Sequence, residues 1–361
     1  MPLPTPTSVD EISAPWIEEV LRAAGAISDG RIADVELQPI GAEVGFLSRM
    51  AVARVSYDGP VPDAPDSFVV KLEPAAGAFR DAERETRAFE REVLFYHDVA
   101  GHLDLRLPRV YHALFSPEAS VLVMEDLSHL TSGDQVRGMR HSEVLATVRQ
   151  IARLHAAFWD NDRLSALDWL PDHDHFWTDG YEANWPIFAR EYELRLGPEG
   201  LALGESILRH LDWLQARVAE RPSSFVHSDL RADNVLLGDP QSDDAAVIVD
   251  WQLGNRSMAA IDPTRLLGGS EPAAQRKGHH MEVFTAWHEA LLENGVTGYG
   301  FEEALEDFRL GALHCLLIPV KAHAFVGDYT SVRTSRLHDA QVERIYVSAL
   351  ELDAQTLLPK S

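Results

Sequence analysis

His227, Asp229, Asn234 and Asp250 are the side chains of this chain whose types and spacing could act together on a substrate. The first three stand in the run Phe225-Val226-His227-Ser228-Asp229-Leu230-Arg231-Ala232-Asp233-Asn234-Val235-Leu236-Leu237. The fourth closes the apolar stretch Ala246-Val247-Ile248-Val249 and opens Asp250-Trp251-Gln252. The pattern His-x-Asp-x-x-x-x-Asn, followed by a strand that ends in Asp, supplies the parts that phosphoryl transfer to an alcohol needs at one point. Asp229 is placed to accept the alcohol's proton. Asn234, five residues on, turns its amide oxygen toward a magnesium ion bridging ATP phosphates, and Asp250 would hold the metal from the opposite side. Hard oxygen ligands of this kind suit magnesium. Arg231 sits where a cation can offset charge building on the moving phosphoryl group. His227 reads as a scaffold group that bonds backbone, not as a proton carrier. The competing reading makes Asp229, Asn234 and Asp250 ordinary turn residues. Order, spacing and apolar flanks agree on the chemical one.

With these motifs the chain resembles the aminoglycoside phosphotransferase and choline kinase-like superfamily, including its ecdysteroid kinase-like branch, which shares the protein-kinase fold. The resemblance covers roughly Gly41 to Leu267. It implies a catalytic loop at His227-x-Asp229-Leu230-Arg231-x-x-Asn234 and a metal-binding segment at Ile248-Val249-Asp250-Trp251-Gln252. The family pattern is departed from at two places: Ser228 replaces a common Gly, and Trp251-Gln252 replaces Phe-Gly. Neither change removes a group that the chemistry uses.

The elements that must position these groups begin in the amino-terminal third. Alternating apolar segments near Val35–Ile40, Met50–Tyr57 and Ser67–Leu72 predict strands. Gly41-Ala42-Glu43-Val44-Gly45-Phe46-Leu47-Ser48 lies between the first two. Gly41, Gly45 and Ser48 are therefore candidates for a loop whose amides cover phosphate oxygens, although Gly-x-x-x-Gly also suits a plain turn. Lys71 ends the third strand, where one cation can reach the α and β phosphates. A helix is predicted over Asp81–Ala100, with Glu85 and Glu92 bordering its apolar face. Either could pair with Lys71, and the resemblance favours Glu92. Ser120–Met124 is a further strand leading into Glu125-Asp126-Leu127. The resemblance makes Glu125 and Leu127 the hinge residues whose backbone would bond adenine.

Past the hinge the pattern becomes helical: Ser142–Trp159, Met281–Asn294, Phe301–Phe325 with a break expected at Pro319, and Ser335–Leu357. His155 reads as a core histidine satisfied by a backbone or acid group. Asp262 is expected to brace the catalytic loop through a basic side chain, or else to cap a helix. The segment Trp159–Trp185 mixes aromatics with acids. It could select a cationic or ring-bearing acceptor, although such stretches more often pack.

At 361 residues the chain can bury a sizeable core. Its formal charge of −25 argues against nucleic-acid partners, which need clustered Lys and Arg. No basic-plus-apolar leader or membrane-length apolar run stands out, so a cytoplasmic protein is expected. Cys315, the single cysteine, excludes an internal disulfide, and the scattered histidines give no spacing that suggests zinc.

The expected fold is α+β and two-lobed, protein-kinase-like. Residues 1–30 form a helical extension, 31–126 a sheet-rich nucleotide lobe and 127–361 a helical catalytic lobe. The expected activity is transfer of the γ-phosphoryl group of ATP, with Mg2+, to a hydroxyl of a small molecule. Between Asp250 and Asp262 there is no long activation segment, which disfavours the rival reading of a protein kinase. A nucleotide-binding pseudokinase is disfavoured because no metal or base position is missing. The acceptor's identity, the preference for ATP over GTP and the oligomeric state stay open.

Overall fold

A computed structural model describes residues 4–40, 48–75, 77–172, 177–326 and 332–360. The chain forms two compact units. One comprises Met1–His102, Leu107–His129 and Asp250–Gln252, and the other Leu103–Arg106, Leu130–Val249 and Leu253–Ser361.

The first unit is built on a five-stranded antiparallel sheet: β1 (Ile32–Ile40), β2 (Arg49–Tyr57), β3 (Ser67–Leu72), β4 (Val110–Leu114) and β5 (Val121–Glu125), in the order β1-β2-β3-β5-β4. Side chains alternate between the faces of a strand, so one register decides two clusters. Phe68, Val70 and Leu72 of β3 join Val121 and Val123 of β5 on one face. There they pack with Trp16, Ile17, Val20 and Leu21 of helix α1 (Ala14–Ala23). Helix α1 therefore contributes to the core of this unit. At about 1.5–3 kcal/mol for each large apolar side chain removed from water, α1 is a substantial part of its stability. On the opposite face Val69, Leu122 and Met124 pack with Phe89 and Val93. Lys71 shares the parity of Val69, which directs it to that second face.

The helix predicted over Asp81–Ala100 is broken in the structure. Helix α2 (Ala78–Thr86) ends at Arg87, which adopts the left-handed conformation with φ 54°, and α3 (Ala88–Leu94) follows, continuing as a π turn at Phe95–Val99. The cause is local: the Glu83 carboxylate, buried at the junction, accepts the Phe89 amide at 2.7 Å and satisfies a donor that continuous helix would have used.

The second unit is mostly helical with two small sheets. Ser223–Val226 pairs with Asn255–Met258, and Thr131–Ser132, Val235–Leu237 and Val247–Ile248 form a three-stranded sheet. Helix α4 (His141–Ala157) packs on the helix His279–Glu293. The helix Ile261–Ser270 is buried along its whole length among α4, Phe301–Cys315 and Val332–Glu351. The expected Phe301–Phe325 helix divides at Leu316, three residues before Pro319, because a proline ring excludes the carbonyl a turn earlier from helical bonding. Cys315 is buried, its thiol pushed up to about 11 by desolvation, in keeping with a core residue.

Candidate active site

In the first unit the alternation of β3 delivers Lys71 to the face covered by α3. Its Nζ donates to Glu92 Oε2 at 2.5 Å and to Asp250 Oδ1 at 2.7 Å. Lys71 and Glu92 are both buried, whereas the Asp250 side chain keeps 29 % of its surface exposed. Burial pushes the Lys71 ammonium down, but Asp250 and Glu92 outweigh it and hold it above its usual value. Glu85, the other glutamate considered for this pairing, is exposed.

Trp251 and Gln252, which stand where the family pattern has Phe-Gly, hold Asp250 in place. Trp251 is fully buried and stacks on Phe95, with ring centroids 4.0 Å apart and an interplanar angle of 8°. Phe95 lies three residues after Glu92, so the stack ties the Asp250 segment to the element that carries Glu92. The Gln252 amide donates to Asp250 Oδ2 at 3.1 Å, so each oxygen of that carboxylate has a donor. Asp250 itself is in the left-handed region with φ 69°, which ends the strand and turns its side chain.

In the second unit the loop from His227 to Asn234 connects the strands Ser223–Val226 and Val235–Leu237. His227 Nδ1 accepts the Asp229 amide at 3.3 Å and its Nε2 donates to the Val249 carbonyl at 3.0 Å, so both ring nitrogens bond backbone. The Val249 amide donates to the Asn234 carbonyl at 3.0 Å, so the strand before Asp250 is registered on the loop. Asp229 Oδ1 accepts Arg265 Nη2 at 3.0 Å, and Oδ2 accepts Arg231 Nε at 3.1 Å and Asn234 Nδ2 at 3.3 Å. Desolvation raises the Asp229 carboxyl, but Arg231 and Arg265 outweigh it, and the group stays below its usual range. Arg231 also reaches Asp233 Oδ2 at 2.5 Å, and Asp233 takes a further bond from Arg333 at 3.1 Å. Here the Arg231 guanidinium clamps two carboxylates. The Asn234 amide nitrogen donates to the Asp229 carbonyl at 2.8 Å, which leaves its oxygen as the end that could face a metal.

Asp262 braces the loop, though not through a basic side chain of the loop. Its carboxylate accepts the amides of His227 at 2.7 Å and Ser228 at 2.9 Å, together with His155 Nε2 at 3.1 Å. Both Asp262 and His155 are fully buried. Ser228 explains the departure from Gly: its φ of 67° is a conformation that Gly adopts freely, and here its hydroxyl accepts Asn255 Nδ2 at 2.6 Å.

Of the other candidates, Gly41 and Gly45 lie outside the described residues. Ser48 is half-buried immediately before β2. The Glu125 amide is committed to the Arg109 carbonyl at 2.8 Å, so its carbonyl is what it could offer a nucleotide, and Leu127 is buried. Two residues that support the loop escaped sequence reasoning. Arg265 lies one turn beyond Asp262 on the same buried helix, a spacing that could have found it. Gln135 is fully buried, accepts the Ala232 amide at 2.8 Å and gives its own amide to Asp233 at 2.8 Å. No sequence signal marks it.

A cavity of about 420 Å3 opens in the second unit, lined by Ser228, Asn255, Ser257, Asp172, Trp177, Asp212, Gln215 and His314 among others. Asn255 Oδ1 is buried with no hydrogen-bond partner among the described residues. Among the described aromatics of the Trp159–Trp185 segment, Tyr181 and Trp185 are buried and stacked, and Trp169 meets Phe225 edge-on.

The profile of the phosphotransferase enzyme family matches residues 54–308, and the chain belongs to that family. Among solved structures it is similar to choline kinase from Cryptosporidium parvum Iowa II, with 12 % identity and a TM-score of 0.56 over 90 % of this chain and 92 % of that one. It is also similar to a microcompartment-associated aminopropanol kinase, with 13 % identity and a TM-score of 0.53 over 95 % and 99 %. At such identities the likeness shows the fold, which is α+β and protein-kinase-like. No curated relative matches the sequence.

Proposed function

We propose that this protein moves the γ-phosphoryl group of ATP onto a hydroxyl of a small molecule. The observation that carries the reading is Lys71, buried and bonded to both Glu92 and Asp250. A lysine held this way presents a fixed positive charge for nucleotide phosphates. The donor set of Asn234 and Asp250 is oxygen-based and fits magnesium, which would neutralise charge on the phosphates when bound. Asp229 orients the acceptor hydroxyl and takes its proton. Because its carboxyl lies below the usual range, it is a weak base, and its main service is alignment, as suits a loose transition state. Arg231 and Arg265 fix that carboxylate. In the second unit the cavity contains Ser228, the residue before Asp229, and its volume suits a small acceptor. The unpartnered Asn255 Oδ1 would accept a donor group of that molecule.

The test is incubation with Mg·ATP and a library of hydroxylated metabolites, read by mass spectrometry for products heavier by one phosphate, with Asp229→Asn as control. A product that forms with the wild type and not with the variant supports the reading. No product, together with no thermal shift on adding Mg·ATP, defeats it.

A further inference from the structure

We propose that His141, Glu271 and His279 form a transition-metal site that takes Zn2+, apart from the residues assigned to phosphoryl transfer. In sequence these histidines look scattered; the fold gathers them. His141 opens α4, Glu271 follows the buried helix Ile261–Ser270, and His279 opens the helix His279–Glu293. One ligand atom from each lies within 4.8 Å of the other two.

The details favour a cation over protons alone. The Glu271 side chain is 1 % exposed, and its oxygens face His141 Nδ1 at 3.4 Å and His279 Nδ1 at 2.5 Å. On its other side His141 Nε2 meets Glu282 Oε2 at 3.0 Å. An imidazole that donates from Nε2 to a carboxylate turns the lone pair of Nδ1 inward, the second-sphere arrangement that orients metal-binding histidines. In the tautomer with its proton on Nε2 alone, that lone pair confronts a carboxylate oxygen at 3.4 Å, a repulsive contact that a metal between them would reverse. The two rings stack with centroids 3.7 Å apart and an interplanar angle of 26°, close enough for two imidazolium charges to repel.

A tetrahedral zinc with ligands at about 2.0–2.1 Å sets neighbouring ligand atoms about 3.3 Å apart. His141 Nδ1 already stands at this distance from Glu271 Oε2, whereas His279 Nδ1 meets the other oxygen, Oε1, at 2.5 Å, so the carboxylate must turn to offer one oxygen to both rings or bind through both oxygens. Two imidazoles and a carboxylate suit Zn2+ or Co2+ and not Mg2+. The histidine side chains are 20 % and 27 % exposed, which admits water as a fourth ligand. Such a site would tie down the end of the helix whose Asp262 and Arg265 hold the catalytic loop.

The experiment uses tag-free full-length protein, stripped with chelator and titrated with Zn2+ under dialysis and with Co2+ under visible spectroscopy. One zinc per chain and the intense visible band of tetrahedral Co2+ are expected. Both should be lost in the His141→Ala/His279→Ala double variant, while Glu282→Gln weakens binding by about 10–100-fold. A thermal shift with Mg·ATP reports whether the double variant is folded. Absence of stoichiometric zinc or of the cobalt band in the wild type overturns the proposal, even where the double variant does not fold. Undiminished binding by a folded double variant also overturns it, assigning the metal to other histidines.

Discussion

Lys71, which is buried, and Arg231, which is half-buried, each face two carboxylates, yet one carboxylate pair is held by a single lysine and the other by several guanidiniums. Lys71 stands alone between Glu92 and Asp250, which leaves that centre one negative charge in excess. Asp229 and Asp233 share three guanidiniums, those of Arg231, Arg265 and Arg333, and Arg333 also lies 3.9 Å from Asp134, so cations and acids balance there. The residue types follow the task. A lysine is a point charge on a flexible stem that can reach a ligand oxygen while held by acids, whereas an arginine fork fixes the planes of carboxylates. An anionic surplus favours a divalent cation, whereas a balanced set of guanidiniums and carboxylates fixes the orientation of the acid it holds. The first centre is suited to hold and the second to aim.

Several substitutions test this contrast. Asp250→Asn removes the half-exposed acid of the anionic centre. Turnover of the acceptor found by the library screen should fall by at least ~10³-fold, and the thermal shift with ATP should lose its magnesium dependence. If that dependence survives, the anionic centre is not the metal site. Asp229→Asn should lower turnover by about 10²–10⁴-fold and leave the ATP thermal shift in place. A parallel loss of ATP stabilisation would merge the two roles. Lys71→Met strands Glu92, which is 2 % exposed, and should cost about 3–5 kcal/mol of stability in urea denaturation. A cost near zero would mean that the pair is not buried as described.

The two centres should also be silent to pH near neutrality. The Asp229 carboxyl is depressed, so its contribution is present above the unfolded value of about 3.9 and disappears as pH falls through the lower folded value. Lys71 is raised, so its contribution is complete below about 10.4 and disappears as pH rises through the higher folded value. The stability gap between wild type and Asp229→Asn should therefore stay level from about pH 5 to 9 and close in stronger acid. A gap that changes between those limits would show that Arg231 and Arg265 do not hold the carboxylate. The smallest effect belongs to Ser228→Gly. Relief of a left-handed Ser offsets the lost bond from Asn255, and stability should move by less than about 1 kcal/mol by chemical denaturation. A loss of several kcal/mol would make that hydrogen bond the main anchor of the loop.

What could be read in advance follows the range of the interactions. Strands β1, β2, β3 and β5 of the first unit were legible because alternation is a local signal, and in β3 that alternation sets the side to which Lys71 points. Strand β4 and helix α1 were harder: β4 is half-buried throughout, and α1 owes its place to a sheet formed later in the chain. The break at Arg87 depends on one buried glutamate that caps the next helix, which no periodicity reveals. In the loop, spacing alone presented Asp229, Arg231 and Asn234 together.

The order of residues determined which groups are available for chemistry: a loop with an acid and an amide at fixed spacing, a strand that ends in another acid, and a lysine on an alternating strand. Local geometry transmits those relations, since a few covalent bonds limit where each side chain can lie. Tertiary structure decided what holds them. Glu92 over Glu85, Arg265 and Gln135 on the loop, Trp251 against Phe95, and the meeting of His141 with His279 all join segments far apart in the chain. Such contacts exist only after apolar burial has fixed the helices and sheets that carry them, and no spacing along the chain encodes that closure.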